Sequence, residues 1–556
     1  MEAISHRNGL DKQNFAKKCS LRHIRARTRL WAALFNQCAN AYLLVKRSAG
    51  IAVVFQADFA SIMFLMMVPL ADLLLSPDDM TAVDREAASS SIDSYGLMEK
   101  AGQAVAASAL RHFPEALRFV VLCGPGNNGG DGYVTARALK QAGAAVLLFY
   151  AGEPERLKGD AARACADCPV EGAGIENYVP RPGDVVIDAI FGAGLSRPVP
   201  SEVGAVIAQV GEAGIPVIAV DLPSGLDGAS GQILGAAFHA QRTVTFMTRK
   251  PGHLLLPGRD LCGELEVFDI GIPARIVLAH ADGLIAENTP AQWQAEIPSA
   301  SAETHKYKRG HLVVFSGGPY ATGAARMSAM AGLRAGAGLV TIASPPEAMA
   351  VNAGLLTAIM LHAVEDEASL RAWLTDQRLS TFIVGPGFGV GEKARQFCLA
   401  LAERHLVLDA DGITSFRDNP QQLFDAFAEG ATRLVLTPHE GEFGRLFPDI
   451  AADAGLSKVE KARAAAARAH AAIIYKGADS VIAAPDGRAL INANAPPWLA
   501  TAGSGDVLAG IVGGLMAQGM PAFEAAAAGV WLHGLAGQHA GKGLTAEDLV
   551  ASVRPL

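Results

Sequence analysis

Phe119-Val-Val-Leu-Cys-Gly-Pro-Gly-Asn-Asn-Gly-Gly-Asp-Gly-Tyr133 decides the fold of the first half of the chain. Phe119–Cys123 reads as a short strand buried on both faces, since apolar residues follow one another without alternation. Gly124–Gly132 reads as a glycine-dense turn, Tyr133–Gln141 as a helix and Ala145–Tyr150 as the next strand. Strand, tight loop, helix and strand within about thirty residues predict a parallel pair. The apolar runs Asp184–Ile190 and Pro216–Val220 extend the same sheet. Upstream, Ser76-Pro-Asp-Asp-Met80 has the form of a helix start, with Pro77 at the first helical position.

Downstream the rhythm lapses between about Ile272 and Arg309, where Pro273, Pro290 and Pro298 accumulate. A second α/β series follows, with strand-like runs at His311–Phe315, Leu339–Ala343, Phe382–Val384, Leu406–Leu408, Leu434–Leu436 and Ala472–Tyr475. The two series show no clear internal repeat. The expectation is therefore α/β with two different domains: an extension at 1–72, a Rossmann-like parallel-sheet domain at 73–275, a linker and domain entry at 276–308, and a second α/β domain at 309–556.

Composition agrees with this division. The chain has 556 residues, half of them hydrophobic and 18% charged, enough for two buried cores and too apolar for a disordered chain. A formal charge of −8 argues against a general nucleic-acid binder. Residues 1–70 differ, with ten Lys and Arg against three Asp and Glu. Their apolar run Phe59–Leu70 is too short to span a membrane, which takes about twenty residues. This extension is expected to be accessory or artefactual, with translation starting at Met66 or Met67. Seven dispersed cysteines indicate reduced thiols and a cytoplasmic setting. Cys165-x-x-Cys168 lacks a second pair and is weak evidence for zinc.

Two groups of residues carry chemistry. In the first half, Asn127, Asn128 and Asp131 follow one strand, Asp188 lies toward the end of another, and Asp221 and Ser224 end a third. Ligands of open parallel sheets bind beyond the carboxyl ends of the strands, so these side chains should converge on one cleft. Their oxygens suit a hard cation, and glycine amides at a helix start suit an anion. No GK[S/T] follows these glycines, so the turn is not an ATP-binding P-loop. In the second half, Thr501-Ala-Gly-Ser-Gly-Asp506 runs straight into an apolar helix. Gly503 and Gly505 offer amides for a transferring phosphoryl group, and Asp506 reads as a general base for a hydroxyl. Thr437-Pro-His-Glu440 also reads as a capping box with Thr437 as N-cap, which would make His439 a helix-start residue. Lys476-Gly-Ala-Asp-Ser480 either faces nucleotide phosphates or turns a hairpin. Gly385-Pro-Gly-Phe-Gly389 and Leu408-Asp-Ala-Asp411 end strands at the same edge.

Taken together these strings resemble the bifunctional NAD(P)H-hydrate repair enzymes, over about residues 75–556. The first domain resembles the epimerase through LMEKAG at 97–102, GPGNNGGDG at 124–132, DAIFGAGL at 188–195, VDLPSG at 220–225, and TVTF at 243–246 with Lys250. The second resembles the ADP-dependent dehydratase, of ribokinase-like fold, through GPGFG at 385–389, TPHEGE at 437–442, KGA at 476–478 and TAGSGDVLAG at 501–510. The resemblance implies interconversion of R and S hydrates of NADH and NADPH. It also implies dehydration of the S form, with ADP converted to AMP and phosphate in the presence of Mg²⁺. By the same resemblance Asn128, Asp188 and Ser224 match a K⁺ site. Asn127, Asn128, Gly129, Gly130, Asp131, the loop Gly192, Ala193, Gly194, Leu195, Ser196, Arg197, Pro198, and Asp221 match substrate contacts. Asp188 and Lys250 are candidates for acid–base chemistry. In the second domain Ala324, Gly387, His439 and Asp506 match hydrate positions, with Asp506 as base. Lys476, Gly477, Ala478, Asp479, Ser480 and Gly505 match the nucleotide site. The implied partners are small molecules and a second copy of the chain in a homo-oligomer, with no nucleic acid and no membrane span. A ribokinase-like small-molecule kinase with a non-catalytic first domain is the competing expectation; it would use ATP and leave a stable phosphorylated product.

Overall fold

The computed structural model describes residues 68–281, 284–298 and 309–556. The expectations placed on residues 1–67, including the apolar run as far as Met67, lie outside the described residues.

The first sheet has seven parallel strands: β1 (Arg118–Cys123), β2 (Val146–Tyr150), β3 (Gly172–Gly174), β4 (Asp184–Ala189), β5 (Val217–Val220), β6 (Arg242–Phe246) and β7 (Glu264–Phe268). Their order across the sheet is β3-β2-β1-β4-β5-β6-β7. Alternate residues feed two apolar layers. Val121, Cys123 and Ile187 face the helices Ser94–His112 and Asn127–Gln141, while Val120, Leu122 and Val186 pack with Val203, Val206 and Val210 of Ser201–Glu212. Burial on both faces explains why these strands read as unbroken apolar runs. The strand order reverses direction between β1 and β4, where Leu122 pairs with Asp188. That switch point opens a crevice beyond the strand ends.

One expectation needs correction here. The helix starts at Asn127, six residues before Tyr133, with Gly126 as its N-cap. The glycines of this stretch therefore serve close packing more than turning. A Cβ on Gly129 would stand 1.9 Å from the Gly124 carbonyl oxygen, and one on Gly132 would stand 2.7 Å from the Ala189 side chain.

The second sheet has ten strands: β8 (Ile285–Glu287), β9 (His311–Phe315), β10 (Leu339–Ser344), β11 (Met360–Ala363), β12 (Thr381–Val384), β13 (His405–Leu408), β14 (Leu434–Leu436), β15 (Ala472–Tyr475), β16 (Val481–Ala483) and β17 (Ala489–Ile491). Their order is β11-β10-β9-β12-β13-β14-β15-β16-β17-β8. The run from β11 to β15 is parallel, and β16 and β17 add an antiparallel hairpin. This α/β architecture is ribokinase-like. Its own switch point lies between β9 and β12.

β8 falls in the stretch read as linker, yet it covers the edge of β17. Leu74 then donates to the Ile285 carbonyl at 2.9 Å and Leu75 to that of Arg249 at 3.1 Å. An uncovered edge would leave a row of unpaired amides and carbonyls, and these short segments satisfy it. Helix Pro77–Ser89 begins as expected, with Ser76 and Asp79 forming a capping box ahead of it. Among the described residues no helix is long and apolar enough to cross a membrane.

Candidate active sites

The crevice at the first switch point is a cleft of about 710 Å³. Asn127, Asn128, Asp131, Gly192 to Arg197, Asp221 and Lys250 line it together with Asp84. Asp188 and Ser224 lie fully buried beneath its floor. Pro198, Gly129 and Gly130 are not among the lining residues; Gly130 packs against Met98, as Gly129 does against Gly124.

The buried Asp188 carboxylate accepts from the Ser224 amide and hydroxyl, each at 2.6 Å, and from the Ile190 amide at 3.3 Å. Among the described residues no basic side chain balances it, and burial pushes its pKa up to about 6 against the pull of those hydrogen bonds. The Ser224 hydroxyl also accepts from the Phe191 amide at 2.8 Å. Asn128 Nδ2 is buried without a partner, and a Cβ on Gly192 would sit 3.0 Å from Asn128 Oδ1. Oxygen donors surrounding an unbalanced buried carboxylate fit a hard monovalent cation.

Asp221 is paired differently. Its carboxylate accepts from Lys250 Nζ at 2.5 Å, from the Thr245 hydroxyl at 2.8 Å and from the Ala193 amide at 3.2 Å. Burial would raise its pKa, but the Lys250 charge together with the hydrogen bonds from Lys250 and Thr245 outweighs burial and holds it below the ordinary carboxylate range. Asp221 is a non-glycine residue at φ +66°, a left-handed conformation worth noticing at a strand end. His253 locks the pair from behind: Nδ1 accepts from the Lys250 amide at 2.8 Å, and Nε2 lies 2.8 Å from the Asp221 carbonyl. Burial, reinforced by Lys250, brings the His253 pKa down to about 4, so its ring is neutral near pH 7.

Sequence reasoning missed His253 and Asp84. Asp84 projects from the helix Pro77–Ser89 into the cleft, where desolvation lifts its pKa to about 6. An acid on an amphipathic helix carries no signal that separates it from ordinary surface acids.

In the second domain, Asp409 ends β13 and Lys476 ends β15, and Lys476 Nζ donates to Asp409 Oδ1 at 2.8 Å. Glu442 lies 3.6 Å from the same ammonium. Burial pulls the Lys476 pKa down, but the two carboxylates more than compensate and hold it above an ordinary lysine. Gly505 opens the helix Ser504–Ala517 beside this pair: a Cβ there would stand 3.5 Å from Lys476 Nζ and 3.6 Å from Asp409 Oδ2. Asp506 follows in the first turn. Burial and then repulsion by Asp409 push its pKa up to about 6, with Lys476 opposing.

The other expected residues come to this edge with one correction. The helix after β14 is Glu440–Leu446 and its N-cap is His439 rather than Thr437. Thr437 is still bound to the end of β13 through the Leu408 carbonyl, and the Pro438 carbonyl accepts from the Lys476 amide at 2.8 Å, so the chain is not free to coil until residue 440. His439 Nδ1 accepts from the Gly441 amide at 3.0 Å, and Nε2 lies 3.4 Å from Glu442 Oε1 on a side chain that is about half exposed. Lys476–Ser480 is both things anticipated for it, the turn of the β15–β16 hairpin and the carrier of a lysine aimed inward. Gly387, at φ +64°, adjoins Ala324: a Cβ on it would approach the Ala324 methyl to 3.4 Å. The adjoining Asp411 carboxylate accepts from the Gly389 amide at 2.9 Å and so holds this glycine loop in place.

Comparison with known proteins adds the following. A family model described as NAD(P)H-hydrate dehydratase matches residues 312–552, and one described as YjeF-related protein N-terminus matches residues 94–252. The bifunctional NAD(P)H-hydrate repair enzyme Nnr of Coxiella burnetii is 34% identical over 488 residues, covering 85% of this chain and 97% of its own. That of Moorella thermoacetica is 37% identical, covering 84% and 92%. That of Escherichia coli is 33% identical, covering 86% and 92%. Among solved structures, an ADP/ATP-dependent NAD(P)H-hydrate dehydratase from Bacillus subtilis, co-crystallised with ATP and Mg²⁺, is 23% identical with a TM-score of 0.40, covering 48% of this chain and 95% of that one.

Proposed function

The chain belongs to the bifunctional NAD(P)H-hydrate repair enzymes, and on that premise we propose how its two sites divide the work. Residues 73–275 carry the epimerase, which interconverts the R and S hydrates of NADH and NADPH. Residues 309–556 carry the dehydratase, which returns the S hydrate to the reduced dinucleotide while ADP becomes AMP and phosphate; residues 276–308 form the entry between them. The observation that carries the reading is the placement of Asp506 and Lys476 together at one strand edge, a base and a cation where a helix opens.

Hydroxide is a poor leaving group, so dehydration needs activation. Asp506 takes the proton of the C6 hydroxyl as that oxygen attacks the terminal phosphorus of ADP, and AMP departs. Lys476 and the amide of Gly505 face the phosphate charge. The phosphate on C6 then leaves, pushed out by the ring nitrogen lone pair, and loss of a proton from C5 restores the ring double bond. His439, Gly387 and Ala324 border the hydrate, and Gly477 to Ser480 form the rest of the nucleotide loop. Mg²⁺ bound to the ADP phosphates would spread their charge during the transfer.

In the first site Asn127, Asp131, the loop Gly192 to Arg197 and Asp221 face the hydrated nicotinamide. Asn128, Asp188 and Ser224 would hold K⁺, whose charge would balance the buried carboxylate and order the floor of the cleft. Lys250 and Asp221 face the cleft as a preset proton-transfer pair; Asp188, bonded on both oxygens, suits cation binding better than proton transfer. The five described cysteines, at 123, 165, 168, 262 and 398, are free, which supports a reducing, cytoplasmic setting. A homo-oligomer is the assembly expected of the family, and light scattering tests it.

The test of the whole reading follows absorbance at 340 nm on mixed R and S NADH hydrate with ADP and Mg²⁺. Full recovery of NADH is expected. Recovery that halts at the S fraction would remove the epimerase, and a stable phosphorylated product formed from ATP would favour the kinase reading instead.

A further inference from the structure

The nucleotide loop of the second domain is tied to the first domain. Asp479 divides its carboxylate, Oδ1 accepting from Lys458 Nζ at 2.5 Å and Oδ2 from the Leu256 amide at 2.9 Å. One residue earlier, the Ala478 carbonyl accepts from Arg259 Nη1 at 2.9 Å. Leu254 and Leu255 of the same segment are buried within the second domain's apolar cluster, alongside Tyr475, Val481 and Ile491. The segment is braced at its origin too, since the Gly252 amide donates to the Gly228 carbonyl and the Gly258 amide to that of Gly231. The turn's own hydrogen bonds run between Gly477 and Ser480, and the two residues between them are held by a chain segment more than two hundred residues away.

We propose that the first-domain segment Leu254–Arg259 positions the nucleotide loop Lys476–Ser480, making Arg259 a positioning residue for ADP. The inference rests on reading that loop as the nucleotide site. Its physical basis is preorganisation: a loop already ordered before binding loses less conformational freedom when the nucleotide arrives. Arg259 touches a backbone carbonyl and not the reacting groups, so its removal should weaken ADP binding without slowing phosphoryl transfer at saturation.

The experiment compares the full chain with Arg259→Ala and Arg259→Lys. Calorimetry measures the affinity for ADP with Mg²⁺, and initial rates on the S hydrate give KM for ADP and kcat. Loss of a charge-assisted hydrogen bond at a partly exposed position predicts a three- to tenfold weaker affinity, of about that order. The KM should rise in step, kcat should stay within about twofold, and Arg259→Lys should recover most of the affinity. The rate of R-to-S conversion in the same sample serves as the folding control and should not change. Unaltered ADP affinity in Arg259→Ala overturns the proposal, as does an equal fractional loss of both activities. Failure of the unsubstituted chain to bind ADP would overturn the nucleotide reading beneath it, a result distinct from either.

Discussion

Lys476 and Asp409 stand 67 positions apart in the chain, yet the lysine ammonium reaches the nearly buried carboxylate at 2.8 Å. Glu442 joins them from the helix after β14. The pair places a fixed positive charge beside Asp506 and the amide of Gly505. Both carboxylates are largely withdrawn from water, and Lys476 is the lysine they share.

Replacing Lys476 with Ala should therefore affect two properties at once. Two buried carboxylates lose their shared cation, which costs about 3 kcal/mol. Scanning calorimetry should show a lower unfolding temperature for the second domain. ADP affinity should fall more than about tenfold, while R-to-S conversion continues.

Asp506→Asn should remove the base and leave the binding groups in place. The dehydratase kcat is expected to fall by about 10²–10⁴, with ADP affinity little changed. In the unsubstituted chain the rate should depend on pH through the same carboxyl. Its pKa is raised to about 6, and the base form exists above that value. The rate should climb from pH 5 to a plateau above 7, and a profile flat across that range would remove Asp506 from the role.

Asp188 should link stability to pH and, if the proposed site holds it, to potassium. Its folded pKa, about 6, lies above the usual aspartate value. The stability associated with its protonated form is thus fully present below about pH 4 and is lost as pH rises through about 6. A bound cation offsets that loss by about 1.4 kcal/mol at a tenfold excess over its dissociation constant. The unfolding temperature should accordingly rise in KCl relative to choline chloride at pH 8, and much less at pH 5. Asp188→Asn should erase the difference.

Two glycines of one motif should behave in opposite ways. Gly129→Ala forces a methyl to within 1.9 Å of a backbone oxygen, and the neighbouring atoms are not flexible. The first domain should lose about 1–3 kcal/mol or more, along with most epimerase activity. Gly126→Ala meets nothing within 4 Å and should leave stability within about 0.5 kcal/mol. Thermal unfolding of the two variants side by side checks both.

Much of this protein was legible as text. Unbroken apolar runs such as Phe119–Cys123 and Leu434–Leu436 marked parallel strands, because a strand covered on both faces has no polar side to display. The rule that ligands bind beyond strand ends then brought Asn128, Asp188 and Asp221 to one edge before any coordinate was known. Tertiary structure decided the rest. It set where the helices begin, since Asn127 coils at once when glycines let the helix lie on β1 and β4, and Thr437 cannot coil while bound to Leu408. It recruited Asp84 and His253, whose sequence surroundings are ordinary. It divided the aspartates by partner: Lys250 holds Asp221 ionised, whereas Asp188 has no counter-charge among its hydrogen-bonding partners. Local patterns encode periodicity and strand ends, which are properties of neighbours in the chain. Charge balance and desolvation depend on distances between residues far apart in it, and only the folded chain sets those distances.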